Sequence, residues 1–113
     1  MFFSDNERRK LLENGIESRG SEESDHYPVV KLFTPDARAT WLITEISADD
    51  NTIAFGLCDL GVGMPELGYV SLTDLDGIRG PLGLRIEKDV FFQPTKRISE
   101  YAAEARVRQR ILV

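Results

Sequence analysis

Between Tyr27 and Leu72 the chain alternates short blocks rich in valine, isoleucine, threonine and aromatic residues with polar or glycine-containing breaks, the pattern of consecutive β-strands. Strands are expected at Val29–Phe33, Thr40–Ile46, Thr52–Asp59 and Gly68–Leu72. The short polar link Ser47-Ala48-Asp49-Asp50-Asn51 suits a hairpin, so the second and third strands should pair antiparallel. In the third strand Ile53, Phe55 and Leu57 share one face while Ala54, Gly56 and Cys58 share the other. This predicts one core face met by a helix and a small-residue face open to close approach.

Before the strands, Ser4 with Glu7 forms a capping box, and Leu11 and Leu12 supply apolar contacts for a first helix. Gly15 is expected to stop it, with Ile16 packing back on Leu11. Residues 17–26 then read as a flexible, solvated linker, because 17–25 contain no apolar side chain. After the strands, Thr73 is a candidate cap for a short helix carrying Leu75 and Ile78, ended by Gly80 and Pro81. Leu84–Ile86 and Val90–Phe92 read as further short strands around Glu87-Lys88-Asp89, closed by Pro94. Ile98, Tyr101, Ala102 and Ala105 form one apolar stripe of a closing helix, with Glu104 and Arg108 placed to pair on its wet side. The expected class is α+β: one domain over residues 1–113, an antiparallel sheet of four to six strands with an N-terminal and a C-terminal helix packed on it.

Length and composition bound this reading without changing it. A chain of 113 residues supports one core, and an apolar share of 42% with a charged share of 29% is that of a globular domain. The single cysteine, Cys58, cannot form an internal disulfide, and no stretch approaches the roughly 20 apolar residues of a membrane-spanning helix. The start of the chain turns polar immediately after Phe3, unlike an export signal, so the expected location is cytoplasmic. Charge does add something. Residues 1–28 carry four basic and seven acidic side chains, residues 29–95 five and ten, and residues 96–113 five and two. An acidic body disfavours broad attachment to phosphate, and only the basic tail, with Arg97, Arg106, Arg108 and Arg110, offers contact with nucleic acid. A two-fold dimer that brings acidic body to basic end is compatible with the same gradient.

The least ordinary segment is Asp59 to Tyr69, where Gly61, Gly63, Gly68 and Pro65 join two apolar strands. Its glycine spacing is not a dinucleotide fingerprint, so it reads as a structured turn whose backbone N–H groups, beside Asp59 and Glu66, form a small pocket or docking surface. Trp41 and Tyr69 are candidates for an aromatic platform beside it, with packing in the core the alternative that the usual burial of aromatics favours. Asp59 and Glu66 as an acid and base would need different surroundings to separate their pKa values. Cys58 as a nucleophile would need a base, and the one histidine, His26, lies far along the chain. No metal site is expected, since one cysteine and one histidine do not make a zinc set and Asp49-Asp50-Asn51 lacks the spacing of a calcium loop. No cofactor motif is present.

Four stretches of the chain are word-like: Lys31-Leu32-Phe33-Thr34-Pro35-Asp36-Ala37, Thr40-Trp41-Leu42-Ile43-Thr44-Glu45, Phe55-Gly56-Leu57-Cys58-Asp59-Leu60-Gly61 and Pro65-Glu66-Leu67-Gly68-Tyr69-Val70-Ser71-Leu72. Together, over residues 5–106, they resemble a bacterial family catalogued as a domain of unknown function. Its members are carried by plasmids, integrative elements and phages, sometimes inside large proteins that accompany DNA transfer. The resemblance implies a lineage and a setting and transfers no catalytic residue. Three functions are therefore carried forward. The first is a non-enzymatic protein-interaction module of mobile-element biology, anti-defence or transfer-associated, binding a protein partner through Trp41, Asp59, Gly61, Gly63, Glu66 and Tyr69. The second is a small enzyme acting on a polar or nucleotide-like substrate at the 59–69 loop. The third is a nucleic-acid-binding accessory using the basic C-terminal helix.

Overall fold

The computed structural model describes residues 2–19 and 24–113. Its elements run α1 (Asp5–Arg19), β1 (Val30–Phe33), β2 (Thr40–Ile46), β3 (Ile53–Asp59), β4 (Glu66–Ser71), α2 (Leu72–Gly77), β5 (Glu87–Lys88) and α3 (Ile98–Arg108). All strands pair antiparallel in one sheet of order β4-β3-β2-β1-β5, and the fold is α+β.

Both faces of the sheet are covered, where the alternation along β3 predicts a single core face. On one face Leu11 of α1 joins Val30, Leu32, Trp41, Ile43, Ile46 and Ala54, with Leu72, Leu75 and Ile86. On the other, Leu42 and Leu57 meet the α3 stripe Ile98, Tyr101, Ala102 and Ala105. This explains why Trp41, Leu42, Ile43 and Thr44 are buried in succession: β2 is central and has no wet side.

Thr44 is the extra residue of a β-bulge, because the register with β3 passes from Ile43↔Gly56 to Glu45↔Phe55. Its hydroxyl donates to the Phe55 carbonyl at 3.1 Å, and its own carbonyl accepts from the buried Asn14 amide of α1 at 2.8 Å. A side chain at Gly56 would fall on the Leu42 carbonyl, so the bulge needs glycine opposite it.

Gly15 does not stop α1. It is buried within the helix, where a Cβ would land on the Ile46 carbonyl oxygen, so its small size permits helix-to-strand contact. Ile16 accordingly points outward, 64% exposed, instead of packing on Leu11. The expected linker is shortened on both sides. Residues 17–19 are helical, and Asp25 accepts from the Ser99 backbone at 3.0 Å at the start of α3. Residues 20–23 of that linker lie outside the described residues.

The region after β4 also differs in detail. Ser71 caps α2, its hydroxyl accepting from Asp74 N at 3.2 Å, in place of Thr73. Of the two strands expected at 84–86 and 90–92 neither forms. The residues paired to the sheet are Glu87 and Lys88, the expected link, beside Phe33 and Leu32, and Arg85 makes only an isolated bridge with Arg79. Asp36 accepts from Leu82 N at 2.7 Å and holds 80–84 as a turn with Gly83 at φ 81°. The Asp89 side chain accepts from Phe91 N at 2.9 Å and bends the chain away from the sheet.

Two substitutions probe this packing. Helix propensity favours Gly15→Ala by about 1 kcal/mol, but the Ile46 carbonyl leaves no room, so urea unfolding should show a net loss of roughly 1–3 kcal/mol; a gain would mean the contact yields. Glu7 joins the α1 capping box to β5, accepting from Ser4 N and Lys88 Nζ at 2.8 Å each. Burial pushes its carboxyl up, but the Lys88 and Ser4 contacts outweigh this and hold it below its ordinary 4.5. A lowered carboxyl contributes stability above its unfolded value that disappears as pH falls through the folded one. Glu7→Gln should therefore cost about 0.5–1 kcal/mol near neutrality, and the two unfolding curves should converge in acid.

Candidate functional site

The last residue of β3 organises the site. Asp59 shares the α3 face with Leu57 and is only 3% exposed. One carboxylate oxygen accepts from Gly61 N at 2.8 Å, an Asx turn that starts the β3–β4 connection. The other accepts from Ile111 N at 2.9 Å. For that bond to form, the chain must turn sharply after α3. Gln109 does this in the left-handed region, φ 60°, and Arg110 N returns to the Ala105 carbonyl at 3.1 Å.

The same turn brings a third segment into place. Gly61, at φ 81°, lies against the β1–β2 connection, where a Cβ would stand 2.9 Å from Arg38 Cβ. Gly63 repeats the positive φ at 82° in open space. Arg38, Gly61 and Gly63, and Arg108 to Ile111 thus surround one open cleft of about 730 Å³, with Thr40 and Asp59 at its wall. Arg38, Arg108 and Arg110 enter no ion pair among the described residues. The close partner of Glu104 is Lys96, at 2.6 Å, and Arg108, which also lines the cleft, acts on that carboxyl only at longer range, both lowering its pKa. Both Asp59 oxygens are occupied by backbone donors. The cleft thus gathers three arginines and one hydrogen-bonded carboxylate among the described residues.

The six candidate binding residues divide. Asp59, Gly61 and Gly63 belong to the cleft. Trp41 is 2% exposed in the core on the α1 face and presents no ring to a partner. Glu66 is exposed opposite Cys58, on the face away from Asp59, so the two carboxylates do not form an acid and base pair. Tyr69 is 71% exposed beside Phe55, ring centroids 5.0 Å apart, on the sheet face opposite Trp41, so the two rings do not form a platform and Trp41 takes the core position. Within the 59–69 segment Leu60, Val62 and Met64 face outward at 62%, 71% and 67% exposure, while Asp59 and Pro65 are buried. Burial pushes the Cys58 thiol up to about 11, which keeps it protonated at neutral pH and unsuited to nucleophilic attack.

His26 is engaged elsewhere. Its Nε2 lies 3.2 Å from Ser18 Oγ, and that hydroxyl donates to Glu45 Oε1 at 2.9 Å. With its one proton given to Glu45, Ser18 can only accept from His26, so the imidazole orients the serine without activating it. The sequence pattern points neither to this arrangement nor to Arg38. Asp59 followed by Gly61 is the Asx-turn signal that could have located the cleft; nothing local marks Arg38, which comes from a different connection.

Fold and cleft together define an α+β domain with a basic cleft at one end of a five-stranded antiparallel sheet. The family model described as Protein of unknown function (DUF2958) matches residues 2–112, and the chain belongs to that family. No curated protein and no solved structure matches it.

If Asp59 holds the connection and the tail together, Asp59→Asn replaces one acceptor by an amide donor facing an N–H. It should cost about 1–3 kcal/mol in urea unfolding and speed amide exchange at both Gly61 and Ile111. Unchanged exchange at Ile111 would show that the tail is held by other contacts.

Proposed function

We propose that this protein is a binding module that takes a phosphate-bearing ligand, a nucleotide or a nucleic-acid strand, in the cleft between the β3–β4 connection and the end of α3. The observation that carries the reading is the convergence of Arg38, Arg108 and Arg110, from two separate parts of the chain, on one cleft whose single carboxylate among the described residues is already committed to backbone donors. Collecting three cations costs electrostatic energy in the free protein, and a bound dianion returns it. Guanidinium groups suit phosphate because their paired N–H groups match two of its oxygens. A volume of about 730 Å³ falls in the range of small-molecule sites and exceeds what a phosphate alone would fill. The acidic remainder of the chain would confine such binding to this end of the molecule. A setting on mobile elements, implied by the family resemblance, belongs to the same proposal and would place the protein among nucleic-acid partners.

A second reading, docking of a protein partner, is favoured by the exposed crest of Leu60, Val62 and Met64 on the same connection. It differs in its salt response: apolar docking persists at high salt, whereas phosphate contacts weaken.

Fluorescence anisotropy with a labelled ten-nucleotide single strand tests the first reading. Binding should weaken with salt, each arginine replaced by glutamine should lower the log–log salt slope by about 0.7, and the triple variant should lose at least tenfold in affinity. Competition by free ADP or pyrophosphate tells a nucleotide site from a strand site. Absence of binding by strand, nucleotide and pyrophosphate alike, or a triple variant equal to wild type, would overturn it.

A further inference from the structure

The outer edge of β4 carries a separate message. β4 ends the sheet, and its register with β3 runs unbroken from Cys58↔Glu66 to Ile53↔Ser71. Leu72 N donates to the Thr52 carbonyl at 2.8 Å, and Ser47 N to the Ile53 carbonyl at 2.8 Å, which fixes the antiparallel alternation. Residues 66, 68 and 70 therefore bond inward to β3, and Leu67 and Tyr69 turn their N–H and C=O groups to the open edge. Edge strands are ordinarily blunted by lysine, proline, a bulge or a covering element. The run Leu67-Gly68-Tyr69-Val70 has no lysine or proline, its pairing has no bulge, and the face at Gly68 is open, with no heavy atom within 4 Å of a Cβ built there.

We infer that this edge pairs with the same edge of a second copy of the chain, joining two five-stranded sheets across a two-fold axis at Gly68. The sequence is complementary to itself in that arrangement. Leu67 stands opposite the second copy's Tyr69, and Tyr69 opposite its Leu67, so each outward N–H and C=O of these residues finds a partner. Leu67 and Tyr69 project from one face, 36% and 71% exposed, and each cross-strand pair covers both. Glu66 falls opposite Val70, so the two negative charges are kept apart. At the axis Gly68 faces itself in a non-hydrogen-bonded pair, where Cα atoms approach to about 4.5 Å. This contact is independent of the arginine cleft.

The close approach at the axis supplies the test. In a Cys58→Ser background, Gly68→Cys should give a disulfide-linked dimer under mild oxidation, because about 4.5 Å lies within the Cα span that a disulfide bridges; Val70→Cys, placed opposite Glu66, should not. Sedimentation equilibrium of the unmodified chain should show dimer, and Tyr69→Lys, folded by circular dichroism, should shift the dissociation constant upward at least tenfold. A monomer at all concentrations up to several hundred micromolar, a Tyr69→Lys dimer as tight as wild type, or a Val70→Cys variant that crosslinks more readily than Gly68→Cys would each overturn the inference.

Discussion

Asp59 is held where two ends of the fold would otherwise be independent. A carboxylate with 3% exposure is costly unless its oxygens are hydrogen-bonded, and here each oxygen takes one backbone N–H, from Gly61 and from Ile111. Hydrogen bonds to an ionised acceptor are roughly twice as strong as neutral ones. This one side chain therefore fixes the entry of the β3–β4 connection and the path of the tail after α3. The arginine cleft exists because those two segments are set beside each other, with Arg38 brought in by the contact of Gly61 on the β1–β2 connection.

The platform beneath Asp59 is rigid for a related reason. β2 is covered on both faces, and its bulge at Thr44 is held from the α1 side by Asn14 and from β3 by the Phe55 carbonyl. Among the described residues, Gly15 and Gly56 are the two points where backbone approaches backbone too closely for any side chain. Helix α1, bulge and β3 are thus fitted to one another, and α3 packs its apolar stripe on Leu42 and Leu57 from the far side.

How far the sequence reveals this depends on the range of the interaction. The strands Thr40–Ile46 and Ile53–Asp59 and the stripe Ile98, Tyr101, Ala102, Ala105 are legible because alternation and helical spacing are local, and each element buries what its period exposes. Gly15 is misleading because a glycine that ends a helix and one that admits a neighbouring strand look alike until the strand is placed. The strands expected at 84–86 and 90–92 fail where Asp36 and Asp89 bind backbone N–H groups and impose turns, a competition that β propensity does not register. Of the site, the outward 59–69 connection and the basic tail are each visible, but as rivals. Their meeting, and the part of Arg38 in it, depend on a bond between residues 59 and 111 that no spacing rule encodes. Alternation along β2 would allow Trp41 a wet face, but α1 covers one side of the strand and α3 the other.

The most direct measurement of the central claim is an amide NMR titration of the intact protein with pyrophosphate at low salt. Saturable shifts confined to Arg38, Gly61, Gly63 and the amides from Arg108 to Ile111 are the result this account requires. Shifts spread evenly over the surface arginines and lysines, or a spectrum that does not respond, would contradict it.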